Sequence, residues 1–291
     1  MAVLGTVVLA LLAALAVDWL AHRAGLTPPG FLVLEGQEST AWLSMLRRSM
    51  AIVLLAVVLW IGVFGALATM GVPTVTDFDG VGIGALFLLH MIFAVAMAIW
   101  YLLGFGGFSA FSWRRQFGLV AKSVWREMAV GLAAGAGAWA VVILALLAIG
   151  VLILAIGGED GLPQEPPPMI PWIAGLPIAV RLGVSASAGL FEEAFFRGFL
   201  QPRVGIALST GFFVLAHANY EQPLMLLGVG LLSLILALLV RWRQNIWPAI
   251  VAHALFDAIQ LLIVVPLALR FMERGDVAPW LPVALTWWAL G

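Results

Sequence analysis

The feature that most constrains this chain is its succession of long apolar runs. Eight of them, at residues 2–21, 49–70, 81–103, 128–156, 172–200, 204–219, 223–240 and 246–268, are separated by charges and by Pro/Gly clusters. A helix needs roughly 20 apolar residues to cross a bilayer. Barrel strands would show segments of about ten residues with alternating polarity, and these runs are continuously apolar. The sequence therefore predicts an all-α, polytopic transmembrane helical bundle of about eight spans. Only 10% of the 291 residues are charged, against 64% hydrophobic, and mean hydropathy is +1.11. A soluble domain carries about 25% charged residues, so a cytosolic enzyme is excluded. The absence of Cys excludes disulfides, thiolate metal sites and a Cys nucleophile. No basic stripe points to nucleic acid.

The distribution of charge gives an orientation. Eleven of the 14 basic residues fall in alternate connections: Arg23, Arg47 and Arg48; Arg114, Arg115, Lys122 and Arg126; Arg197 and Arg203; Arg241 and Arg243. The intervening connections hold Asp77 and Asp79, then Glu159, Asp160 and Glu165, with no basic residue. By the positive-inside rule the basic side is cytoplasmic, and both termini then lie outside. Met1–Val17 is apolar without a basic leader and reads as a retained first span. One Lys beside thirteen Arg, with abundant Ala and Gly, suggests a GC-rich bacterial genome and hence an inner (cytoplasmic) membrane.

Composition divides the chain into an N-terminal four-span half (1–156), a Pro/Gly-rich extracytoplasmic loop (157–171), a C-terminal core (172–268) and a Trp-bearing interfacial segment (269–291). The stretch Phe108–Arg126, mixed apolar and basic, reads as an amphipathic helix at the headgroups. Gly131-x-x-x-Gly135 reads as a helix-packing seam. Trp60, Trp100, Trp113, Trp125 and Trp139 read as interfacial or packing aromatics.

Ionisable groups inside spans are costly and mark function. Asp18, His90, Arg181, Glu192, Glu193, Arg197, His217, His253 and Asp257 remain once the connections are set aside. His90 and Arg181 read as bystanders, one a hydrogen-bonded core His and the other reaching outward or packing on an outer loop. The others cluster. Glu193 and Arg197 are i, i+4 and can pair on one helix face, as can His253 and Asp257. Glu192 points about 100° away from that pair, so Arg197 does not neutralise it, and a carboxylate among Phe191, Phe195 and Phe196 suits proton transfer. His217 ends the sixth run.

Glu-Glu-x-x-x-Arg, then Phe-x-x-x-His, then His-x-x-x-Asp, on successive apolar runs, resembles the CAAX protease and bacteriocin-processing (CPBP, ABI) family of glutamic intramembrane endopeptidases, which includes the type II CAAX prenyl proteases. The resemblance covers about residues 171–266, and spans 1–4 carry no recognised motif. It implies Glu192 as the base that activates water, His217 as its helper, and His253 with residue 257 as the oxyanion side. Glu193 and Arg197 would hold the Glu192 helix in place. It implies no cofactor and no metal. The partners implied are the lipid bilayer and a membrane-associated peptide or protein cut near its C-terminus, as in a myxosortase-like bacterial group. Two departures stand out. The prenyl proteases carry Asn where this chain has Asp257, and the connection from Arg197 to His217 is short. An ionised Asp cannot donate to an oxyanion, so Asp257 is either protonated and donating or pairs with His253 and fixes its tautomer. Two His and a Glu could instead bind zinc, though no His-Glu-x-x-His helix is present. A proton- or ion-coupled transporter and a non-catalytic scaffold or immunity protein are the readings from other classes.

Overall fold

The computed structural model describes residues 82–102, 110–157, 169–217 and 223–274, with several positions between 50 and 61. Helix α1 is Gly84–Leu102, α2 is Ala110–Gln116, α3 is Val124–Gly157 and α4 is Met169–Gly175. Helix α5 starts at Ile178 and passes at Glu193–Leu200 into a π-helical segment. Helices α6 and α7 are Gln201–Ala216 and Pro223–Arg243. Helix α8, Trp247–Arg274, contains a π turn at Gln260–Val264.

The described residues are helical without strands, as expected. Among the described residues four helices are long and apolar enough to cross a membrane: α1, α3, residues 224–243 of α7, and α8. The expected runs 2–21 and most of 49–70, the loop at 158–168 and the segment 275–291 lie outside the described residues.

Two expected spans differ from a straight crossing. The run 172–200 is broken: between α4 and Ile178–Leu200 the chain bends by 119°. Pro177 sits at the break as the N-cap of α5; it has no N–H to give a preceding turn and disfavours helical Leu176. The run 204–219 yields a short apolar helix, Gly205–Ala216. At about 1.5 Å per residue it reaches roughly 18 Å, against about 30 Å of hydrocarbon. Gly205, with φ 84° and ψ 173°, kinks α6, a backbone state that glycine adopts freely. Phe108–Arg126 is not one amphipathic helix either. Helix α2 stops at Gln116, Gly118 turns the chain with φ 68°, and its carbonyl accepts the Ile246 N–H at 2.9 Å.

Helix α8 lies at the centre. The Gly131/Gly135 seam of α3 packs on it so closely that a Cβ would come within 2.6 Å of the Pro248 carbonyl and 2.8 Å of the Ala252 carbonyl. From the other side Gly189 of α5 approaches as tightly, and a Cβ there would come 2.6 Å from the Ile250 carbonyl. Small residues let helix backbones meet in this way, and here the seam is intramolecular. Aromatic packing then clamps α1 onto the π segment. Phe93 stacks on Phe195 at 4.4 Å between centroids, and Trp100 meets Phe199 edge-on at 4.7 Å.

The basic connections meet at one end. Arg243 grips Glu127 with two parallel bonds, Nε to Oε2 at 2.8 Å and Nη2 to Oε1 at 2.6 Å. Arg115 and Arg241 line a cavity of about 400 Å³ beside them. The positive-inside argument puts the α2–α3 and α7–α8 connections on the same side, and in the fold they touch.

Candidate active site

Three tight helix contacts converge on one buried cluster. Glu192 ends the regular part of α5 and Glu193 opens the π segment. Glu193 is fully buried, and its Oε1 takes two partners: Arg197 Nη1 at 3.1 Å and His253 Nδ1 at 2.9 Å. The first is the i, i+4 pair expected from sequence. The second crosses from α8 to α5, where Gly189 lets the backbones approach.

Arg197 is also buried. Its Nη2 donates to Ser233 Oγ of α7 at 2.9 Å, and its guanidinium lies 4.3 Å from the Phe213 ring centroid. A buried cation with a carboxylate, a hydroxyl and a ring face is well compensated, and it ties α5, α6 and α7 together.

His253 has carboxylates at both ring nitrogens: Glu193 at Nδ1, and Asp257 Oδ2 at 3.5 Å from Nε2. Phe213 lies against both histidines of the expected site, 4.6 Å from His217 and 5.9 Å from His253 between ring centroids. His217 caps α6, and its Nδ1 lies 2.7 Å from the Phe213 carbonyl. That carbonyl can only accept, so Nδ1 carries a proton. Glu192 lies within electrostatic reach of His217 and His253, and Asp257 within reach of both glutamates. The structure thus brings together Glu192, Glu193, Arg197, His217, His253 and Asp257 from α5, α6 and α8. Among the described residues no group of three or more His, Cys, Asp or Glu side chains has metal-holding geometry.

Two residues outside the motifs make contacts beyond those expected, although His90 is the buried, hydrogen-bonded His that the sequence suggested. His90 of α1 faces the cluster, with Nε2 3.3 Å from Glu192 Oε1 and Nδ1 2.9 Å from Ser187 Oγ. Arg181 is half-buried, and its Nη1 donates to the Leu261 carbonyl at 2.8 Å, within the π turn of α8. Beside it Trp139 Nε1 donates to Gln260 Oε1 at 2.8 Å. The only signal for His90 in the sequence was an ionisable group in an otherwise apolar run.

Residues 174–259 match the family model for type II CAAX prenyl endopeptidase Rce1-like proteins. This stretch is similar to the core of the CAAX protease family. It encloses all six expected site residues and stops short of α1 and α3. Over 69 residues the chain is 32% identical to YpbD, an uncharacterised protein of Bacillus subtilis (strain 168). That alignment covers 23% of this chain and 36% of the relative, so the chain spans about a third of the length of the curated relative it matches. No solved structure matches the chain. CAAX proteases are membrane hydrolases, in keeping with the apolar helices here.

Proposed function

We propose that this chain is an intramembrane endopeptidase that hydrolyses a peptide bond with glutamate-activated water. The carrying observation is the convergence of Glu192, His217, His253 and Asp257 in one buried cluster within the CAAX protease core. Three of its carboxylate oxygens, Glu192 Oε2, Glu193 Oε2 and Asp257 Oδ1, are buried without a hydrogen-bond partner. Unmatched buried acceptors cost about 1–3 kcal/mol each, and a polar reactant would relieve that cost.

In this reading Glu192 Oε2 takes a proton from water as the water oxygen bonds to the scissile carbonyl carbon. The carbonyl π pair moves to its oxygen, and the resulting anion is met by the His253–Asp257 side. His217, its ring fixed by the Nδ1 contact with the Phe213 carbonyl, helps Glu192 to orient the water. The C–N bond then breaks as the proton on Glu192 passes to the leaving nitrogen. Glu193 and Arg197 are positioning residues, holding α5 against α8 and α7.

The substrate class proposed is a membrane-associated peptide or protein cut near its C-terminus, such as a C-terminal sorting tail handled by a myxosortase-like enzyme. The setting proposed is a bacterial cytoplasmic membrane with the basic connections inside. No cofactor is required, so chelators leave activity unchanged and purified protein holds no zinc. The deciding experiment compares the N- and C-termini of membrane proteins in the native host, by mass spectrometry, between wild type and Glu192→Ala. New termini present only in wild type support the proposal; identical termini with the enzyme expressed overturn it.

A further inference from the structure

Helix α1 lies outside the stretch that matches the family, yet it delivers an imidazole to Glu192. Apart from Tyr101, His90 is the one ionisable residue of α1. It is buried, as is its partner, with both side chains 7% exposed. A lone His in such a helix is expensive unless it has an electrostatic task.

Its surroundings form a relay along α5. Ser187 Oγ lies 3.0 Å from the Val184 carbonyl and 2.9 Å from His90 Nδ1, and its one proton can serve either. With the hydroxyl proton on Val184, Ser187 accepts from Nδ1–H, and a second imidazole proton bonds Glu192. With the hydroxyl proton on Nδ1, the neutral ring presents Nε2–H to Glu192 instead. In both arrangements a donor faces Oε1 while the carboxylate is charged. Phe87 packs edge-on against the ring at 6.3 Å, and the Phe93–Phe195 stack one helical turn away fixes α1 on the π segment. Around the pair the charged or titratable groups are His90 from α1, Glu192, Glu193 and Arg197 from α5 and its π segment, His217 from α6, and His253 and Asp257 from α8.

The geometry points to His90 as the positioning residue that engages Glu192 Oε1 and leaves Oε2, which has no partner, as the atom that takes the proton. This inference rests on Glu192 being the base. It makes the N-terminal part of the chain a contributor to the chemistry: α1 sets the carboxylate plane, and Ser187 sets the imidazole.

The test uses the full chain in host membranes, following the new termini that depend on Glu192, then a purified enzyme with a peptide spanning one such cleavage. The variants are Glu192→Gln, His90→Leu, His90→Gln and the double variant His90→Leu/Glu192→Gln, each with its thermal transition in detergent. Leu keeps the apolar bulk and removes the donor; Gln restores one N–H. The expected result is a kcat loss of about 10- to 100-fold for His90→Leu with KM within about twofold, since a misaligned catalytic group costs on that order. Recovery of most of that loss is expected in His90→Gln, with no further loss when His90→Leu is added to Glu192→Gln. Wild-type activity in His90→Leu while Glu192→Gln is inactive overturns the inference and leaves the protease reading standing. Equal losses in both His90 variants with a lowered thermal transition show a packing role and also overturn it. Full activity in Glu192→Gln removes the base itself, and both readings fall.

Discussion

Glu193 of α5 and His253 of α8, 60 residues apart in the chain, meet at 2.9 Å through Oε1 and Nδ1. The same oxygen holds Arg197 at 3.1 Å, so one buried carboxylate compensates a guanidinium and orients an imidazole. Breaking a buried charge pair by removing one partner costs about 3–5 kcal/mol, because the other charge is left uncompensated. Glu193→Ala is therefore expected to lower the thermal transition in detergent sharply and to abolish cleavage. Arg197→Met should do the same, and the double replacement should cost less than the sum of the two. An additive double variant would show that the residues do not act as a pair.

Asp257 separates two chemistries. Its Oδ2 is 3.5 Å from His253 Nε2, and its Oδ1 is buried without a partner. If the site needs a neutral donor there, Asp257→Asn retains full activity. If it needs the charge to hold His253 in its tautomer, Asp257→Asn is inactive although correctly folded. Turnover of the cleavage-site peptide by purified variants decides between them. The 2.9 Å contact of Glu193 with the other ring nitrogen gives His253 a second anchor, so retained activity is the expected outcome.

The glycine seam predicts a contrast within a single helix. A Cβ at Gly135 would meet the Ala252 carbonyl at 2.8 Å, whereas Gly137 has nothing within 4 Å. Gly135→Ala should destabilise by about 1–3 kcal/mol through overpacking against backbone that cannot yield. Gly137→Ala should be neutral or stabilise by up to about 1 kcal/mol, from helix propensity alone. Gly189→Ala, whose Cβ would meet the Ile250 carbonyl at 2.6 Å, should cost activity as well as stability, because it pushes α5 from α8 at the level of the site. Thermal transitions of the three variants test the order.

At the basic end, the forked contact between Arg243 and Glu127 joins α7 to the start of α3. Both side chains are largely buried, at 19% and 9% exposure. Arg243→Lys loses the two-pronged geometry and should cost about 1–2 kcal/mol, since a charge-assisted bidentate contact exceeds an exposed ion pair. Cleavage should persist at nearly wild-type rate, because the pair is remote from Glu192. A large loss of activity in this variant would mean that the basic end takes part in catalysis.

Periodicity and energetic cost made part of this molecule legible in its sequence. Apolar runs gave α1, α3, α7 and α8 because each must satisfy its backbone internally. The Glu193–Arg197 pair was readable because i, i+4 spacing on a helix is a local rule. Contacts between helices distant in sequence were not readable. Nothing local says that Gly189 and Ile250 touch, so neither the Glu193–His253 bond nor the approach of His90 to Glu192 could be inferred. The break at Pro177 and the kink at Gly205 were punctuation visible in the residues, but whether each ends a span depends on neighbouring helices. Arg181 shows the same limit: its acceptor, the Leu261 carbonyl, lies in a π turn 80 residues away.

The π segment Glu193–Leu200 carries a consequence of its own. Its i→i+5 bonding accommodates an extra residue relative to an α-helix, so the helical phase slips between α5 and α6. Glu192 keeps the register of α5, while α6 departs with Ser209 bonded back to the Phe196 carbonyl at 2.7 Å. Removing a single residue between Ala194 and Leu200 would let the segment revert to regular helix. Because the wider turn already absorbs that residue, the helix on either side would keep its face, whereas a deletion in the regular part of α5 would turn the residues before it by about 100° against Glu192. In this fold the π segment is thus where an extra residue is taken up without turning acid from imidazole.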